Sequence, residues 1–278
     1  MLDDRIAAVP NPNPSSYYKC YSAYYSFQVN LAYAFLNKAL SISAGYRFIH
    51  AMNRFDGKLK SNGTTLVTDG LIDAEQRGMS HSFIAGIGSQ PIKDLLIGIK
   101  YEWNSILKLE TDADDESTLA TADAPFLANN YNLYKTLPMS LSMGISYSII
   151  GIKMEYDFTL FLNELAEWNG LESQYDNGYE TGFGIDYTLP MVPLNLGLGY
   201  LYSKDGGNTS TRNQYREGLD SHAIGFGLTY SLLPTLQITV AYSFTYYVPV
   251  DVDSSPTSTV EFNVMGHDIA IGLQYKAM

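Results

Sequence analysis

The chain has 278 residues, a formal net charge of −12, 23 tyrosines and one cysteine. A pI near 4.6 excludes the basic footprint of a nucleic-acid binder, and Cys20 alone excludes an internal disulfide framework. No run approaches the ~18 apolar residues of a transmembrane helix, and the start, MLDDRIAAVPNPNPSS, lacks the basic segment and apolar core of a signal peptide.

Alternation with period two runs through nearly the whole chain, and side chains of a strand alternate between two faces. Tyr25, Phe27, Val29, Leu31, Tyr33 and Phe35 alternate with Ser26, Gln28, Asn30, Ala32 and Ala34. After a link at Asn37, Leu40, Ile42, Ala44, Tyr46 and Phe48 oppose Ser41, Ser43, Gly45 and Arg47. A third strand holds His81, Phe83, Ala85 and Ile87; a fourth sets Leu95, Ile97, Ile99, Tyr101 and Trp103 against Gly98, Lys100, Glu102 and Asn104.

The clearest hairpin follows. Leu137, Met139, Leu141, Met143, Ile145 and Tyr147 are apolar at odd positions; after Ile149 and Ile150 the phase flips, to Ile152, Met154, Tyr156, Phe158, Leu160 and Leu162. One face of this hairpin is oily and uncharged; the other carries Lys153, Glu155 and Asp157. Five further strands centre on Phe183, Leu198, Phe226, Val240 and Ile271, giving eleven in all. Residues 160–168 have room for a short helical turn.

Short turns at residues 36–39, 90–94, 149–150, 189–193 and 232–235 alternate with long polar loops at 57–79, 110–136, 163–177, 204–220 and 248–264. An up-and-down meander puts every short turn at one end, as in outer-membrane barrels. Tyr33, Tyr147, Tyr187, Tyr230 and Tyr275 sit on the oily face beside short turns or the chain end, whereas Tyr46, Trp103, Phe158, Tyr202 and Phe244 sit on it toward long loops. Two aromatic rings bounding an aliphatic band match two membrane interfaces. A soluble sandwich or lipocalin-like barrel explains the alternation equally well, but neither the two belts nor the loop order. The expectation is an all-β, antiparallel up-and-down transmembrane β-barrel in the cell outer membrane.

In such a barrel the wet face lines a lumen, offering Arg47, Lys100, Glu102, Lys153, Glu155, Asp157, Glu180 and Asp186. Mutual pairing accounts for most of these charges; the sharper reading gives Arg47, Lys100 or Lys153 to an anionic head group of a ligand. The G-x-G pairs lie within strands, so they are not phosphate loops. No Cys/His spacing implies a metal, and neither cofactor nor metal is expected. His81, His222 and His267 each open a strand on the oily face. The acidic stretch Glu110, Asp112, Asp114, Asp115, Glu116 lacks the ligand spacing of a calcium loop. A barrel-rim hydrolase would draw on His50 and Asp56, although no spacing singles out a triad.

Three segments carry a family resemblance: YSFQVNLAYAFLNKALSISAGYRFIHAMNRFDG (25–57), GIGSQPIKDLLIGIKYEW (86–103) and, most specifically, DSHAIGFGLTYSLLPTLQITVAYSFTYY (220–247). They resemble hairpins of the FadL/TodX family of outer-membrane transporters for long-chain fatty acids and other hydrophobic compounds. The resemblance extends from about Tyr24 to the end. It implies a fourteen-stranded barrel with an N-terminal hatch, passive transport, hydrophobic small molecules and outer-membrane lipids as partners, and insertion by the outer-membrane assembly machinery. Eleven strands of fourteen then suggest that residues 1–23 are the remnant of an external loop or a partial strand, that 24–278 form the C-terminal part of one barrel domain, and that the hatch and three strands lie upstream. The family's hatch and kinked early strand have no counterpart here. Alternatives to transport are a structural or surface-exposed barrel, such as an adhesin or antigen, and the rim hydrolase.

Overall fold

A computed structural model describes residues 17–37, 39–59, 70–114, 128–207, 218–255 and 258–275. Expectations resting on residues 1–16, 60–69, 115–127, 208–217 and 276–278 lie outside the described residues. The expected alternation appears as a single antiparallel sheet whose main path is β1 (Tyr17–Phe35), β2 (Leu40–Leu59), β3 (Gly70–Ile92), β4 (Leu95–Glu102), β7 (Met139–Ile149), β8 (Ile152–Leu162), β9 (Gly178–Thr188), β10 (Leu194–Lys204), β11 (Ser221–Leu233), β12 (Leu236–Tyr247) and β15 (Met265–Tyr275). Each strand of the path pairs with the next, as a meander requires. β5 (Lys108–Ala113) pairs with β3 and β6 (Asn132–Tyr134), while β13 (Val250–Ser255) and β14 (Ser258–Phe262) form a separate hairpin. The fold is that of a transmembrane β-barrel wall, and the chain crosses the outer membrane with these strands.

The short turns are tight because their backbones allow it. Leu36 and Asn37 both adopt positive φ, 52° and 55°, and Ile150 and Gly151 do the same at 47° and 78°. Ile150 and Gly151, between the paired Ile149 and Ile152, make a two-residue hairpin turn whose twist matches that of the flanking strands, whereas residues 36–39 form a four-residue turn closed by Ala39 N–H donating to Leu36 O at 3.0 Å. Asn37 and Gly151 suit that conformation. Ile150, a β-branched residue, does not.

The oily residues face outward. In β7, Leu141, Met143 and Ile145 are 39%, 48% and 43% exposed, and Phe226, Val240, Ile269 and Ile271 continue the band on later strands. So much exposed apolar surface would be ruinous in water. Against lipid it is the expected outer surface of a barrel. Tyr33, Tyr147, Tyr187, Tyr230 and Tyr275 are all exposed on this face toward the short-turn end, and Tyr46 and Trp103 toward the other.

Three of the expected loops are partly strand. β1, β2 and β3 have 19, 20 and 23 residues, against 11 for β7 through β10. A tilted strand needs only ~9–11 residues to cross a bilayer, so these three project well beyond the outer girdle. Thus residues 57–59 and 70–79 belong to β2 and β3; the 110–136 stretch holds part of β5 and all of β6, and the 248–264 stretch holds β13 and β14. Within the projection the polarity inverts: Ala51, Asn53 and Phe55 are buried on the inner face, where Ala51 clusters with Leu107, Leu109 and Leu133. Asn53 donates to Gln76, which donates to Thr111. In the 163–177 loop a 3-10 turn, Asn163–Leu165, occupies the place expected for a helical turn.

The sheet has two edges, β1 and β15. Both run from the outer end toward the short-turn end.

Candidate functional site

The inner face is built by strand register. On β2, Arg47 stands opposite Gln28 of β1 and Ser82 of β3. Its Nε and Nη2 donate to Gln28 Oε1 at 2.9 and 2.7 Å, and its Nη1 lies 2.6 Å from Glu102 Oε1. Glu102, at the end of β4, also lies 3.9 Å from Lys100 Nζ. Gln28 in turn donates to Asn30. Arg47 and Lys100 thus share one carboxylate in a network spanning β1, β2 and β4. Lys153 is elsewhere on the wall, 2.5 Å from Glu155 on its own strand. The three cations named from the sequence are therefore inner-face residues in two separate groups, each beside a carboxylate.

Gln28 and Asn30 are the members that sequence reasoning passed over. Both share the phase of Arg47's neighbours, and that phase was the available signal.

The wall's remaining charge is negative. Asp157, Glu180, Asp186 and Asp268 share the inner face, and no basic group among the described residues lies within ion-pair distance of them. Glu180 accepts from Ser203 and Asp268 from Ser243. Among the described residues, three inner cations, Arg47, Lys100 and Lys153, therefore face six carboxylates, the four above plus Glu102 and Glu155.

Between these charges lies a bare stretch of wall. Gly184, Gly199 and Gly225 stand in one register row, continued by Ser243 and Asp268; Gly197 and Gly227 stand in the next, continued by Ala241 and Ala270. A Cβ at Gly184, Gly199 or Gly225 would meet nothing closer than 3.8, 3.8 and 3.6 Å. Sterics do not require glycine there, so the lack of side chains leaves the lumen wide. Nearer the short turns, Lys153, Asp186, Asn195, Thr229, Gln237 and Gln274 line a polar cavity of about 860 Å³.

The hydrolase alternative gains no assembled site. His50 lies on the outer face of β2, directly opposite Tyr25 and Met79. Asp56 is six residues further along the same strand, or roughly 20 Å at ~3.3 Å per residue. Glu110, Asp112 and Asp114 project from one exposed side at β5, and no group of three metal-binding side chains occurs among the described residues.

Comparison with solved structures gives the same architecture. A Pseudomonas aeruginosa FadL homologue superposes with a TM-score of 0.64 at 15% identity, over 92% of this chain and 68% of that one. The Ralstonia pickettii toluene transporter TbuX gives 0.56 at 12% identity, over 92% and 69%. The CymD monoaromatic hydrocarbon channel gives 0.55 at 12%, over 94% and 75%. No curated protein sequence matches. The wall has the fold of these FadL-type outer-membrane barrels. Residues 36–250, well over half of the chain, match the family described as "Putative MetA-pathway of phenol degradation", and the chain belongs to that family.

Proposed function

We propose that the protein lets small, uncharged hydrophobic molecules, monoaromatic hydrocarbons above all, cross the outer membrane passively. The observation that carries this reading is the charge of the inner wall. Among the described residues, three cations against six carboxylates oppose an anionic cargo, and the cations already have carboxylate neighbours. A free fatty acid is ionised at neutral pH, since carboxyl groups titrate near ~4–5. A hydrocarbon carries no charge for this wall to repel, and the glycine rows admit a flat ring. The described activities of the CymD channel and the TbuX toluene transporter support the reading.

One feature favours a second cargo. Lys100 and Lys153 have side chains 48% and 44% exposed, and Lys100 is only loosely paired at 3.9 Å. Either could meet the carboxylate of a long-chain fatty acid, with Arg47 held further back.

Passage also needs a closed wall. Because β1 and β15 run in the same direction, pairing them directly would put a parallel seam in an antiparallel sheet.

The test is uptake of radiolabelled toluene and oleate by cells making or lacking the protein. Toluene entry should rise with the protein, and should fall when Gly225→Leu fills the bare wall. Equal toluene entry in both strains would refute the proposal, and oleate entry alone would establish the second cargo instead.

A further inference from the structure

The outer girdle repeats one arrangement three times. His81 of β3 stands opposite Phe48 and diagonal to Tyr46. His222 of β11 stands opposite Tyr202 and diagonal to Tyr200. His267 of β15 stands opposite Phe244 and diagonal to Tyr242. In each case the diagonal tyrosine hydroxyl lies at hydrogen-bond distance from imidazole Nδ1: 2.5 Å for Tyr46, 2.7 Å for Tyr200 and 2.8 Å for Tyr242. Each imidazole also packs against the ring opposite, with centroids 5.5, 5.0 and 5.1 Å apart.

The chemistry of the imidazole follows from that hydrogen bond. A neutral ring that accepts a phenol O–H at Nδ1 carries its own proton at Nε2. No protein group among the described residues takes that proton. With the phenol as the donor in each pair, three Nε2–H groups stand on the lipid-facing side toward the long-loop end, where the outer head groups lie. A buried core histidine would have its second nitrogen satisfied by protein; these do not.

At His81 the wall supplies more. β3 pairs with β4 as far as Ile84 and Glu102, and with β5 from Met79 and Lys108. Trp103 stays on β3, its N–H donating to Phe83 O and its carbonyl accepting from Ser82; residues 104–107 leave the ladder, and a cavity of about 540 Å³ is lined there by Ser80, His81, Phe83, Trp103, Asn104 and Ile106. Phe83, Trp103 and Ile106 offer an apolar wall. Ser80 is 2% exposed, and its hydroxyl has no hydrogen-bond partner among the described residues.

We propose that the three tyrosine–histidine pairs are binding points for the phosphate of membrane lipid head groups, and that the cavity beside His81 seats an acyl chain of the lipid bound there. The tyrosine sets the tautomer, the facing aromatic ring fixes the plane, and Nε2–H donates to a phosphate oxygen. A ring of head groups held in this way would fix the depth of the barrel in the membrane.

Native mass spectrometry of the protein in neutral detergent tests this, with dioleoyl phosphatidic acid and dioleoyl glycerol as probes differing only in the phosphate. The unaltered protein should hold up to three phosphatidic acids at least tenfold more tightly than diacylglycerol. The triple variant H81F/H222F/H267F keeps the aromatic packing and removes the donors; its phosphatidic acid binding should weaken about tenfold. Unchanged binding by the triple variant, or equal binding of the two lipids by the unaltered protein, would overturn the proposal. If the triple variant does not fold, H81F alone must lose the tightest of the three lipids, and its retention would be equally decisive.

Discussion

Glu102 is the carboxylate on which the inner network turns, so Glu102→Gln is the informative perturbation. Its side chain is 11% exposed and lies 2.6 Å from Arg47 and 3.9 Å from Lys100. Unit charges ~4 Å apart attract by about 4 kcal/mol at an effective dielectric constant near 20. Much of that gross attraction is offset by desolvation, and the Arg47 side chain is 27% exposed. Glutamine still offers a carbonyl to Arg47, and Gln28 still accepts two of its N–H groups. The expected net loss is therefore about 1.5–3 kcal/mol, the range for a hydrogen bond to a charged partner. Urea unfolding in lipid vesicles, followed by the emission of Trp103 and Trp168, measures it. A double-mutant cycle with Arg47→Gln should give a coupling of about 1 kcal/mol or more. A loss below about 0.3 kcal/mol with no coupling would refute the network, since contacting residues normally couple by at least ~0.5 kcal/mol.

Ile150→Asn should stabilise the β7–β8 hairpin by about 1 kcal/mol, because Ile150 holds a left-handed backbone at φ 47° that costs most residues about 1–2 kcal/mol; the urea midpoint reports it. Gly78→Ala should detach β5, since the added Cβ would sit 2.4 Å from the Lys108 carbonyl oxygen and 2.9 Å from Leu109 Cδ2. Hydrogen exchange across residues 108–113 should accelerate, while β7 and β8 stay protected. Beyond the girdle, the Arg77 guanidinium hydrogen-bonds both oxygens of Glu75 and holds its carboxyl below the ordinary value of 4.5. A lowered carboxyl contributes stability in full above its unfolded value and loses it as the pH falls through the lower folded value. Local protection near Glu75 should therefore fade only below pH 4.5, and Arg77→Gln should bring the carbon-13 titration of Glu75 back up toward 4.5.

The membrane-spanning wall was legible because lipid imposes one rule on it. From Leu141 to Leu162, oily residues had to face outward and polar ones inward, and a period of two records that. The rule lapses beyond the outer girdle, where water lies outside. There β2 turns Arg54 and Lys58 outward and buries Asn53 beside Phe55, and that mixture reads as loop although it is strand. β5 and β6 are short and attach only to β3 and to each other, so no long periodic run announces them. The lumen residues were legible by phase, their partners were not. Arg47 and Glu102 meet across 55 positions of sequence, through the registers of β2 with β3 and of β3 with β4. The tyrosine–histidine pairs likewise depend on diagonal neighbours, and only register reveals those.

The direct test of the account is which side of β7 touches lipid. Nitroxide labels placed one at a time at Ser142, Met143, Gly144, Ile145 and Ser146, in a Cys20→Ser background and in bilayers, can be probed by collision with oxygen and with a water-soluble nickel chelate. Positions 143 and 145 should favour oxygen, and 142, 144 and 146 the chelate. The opposite alternation, or none, would contradict a wall with lipid outside and a watery passage within.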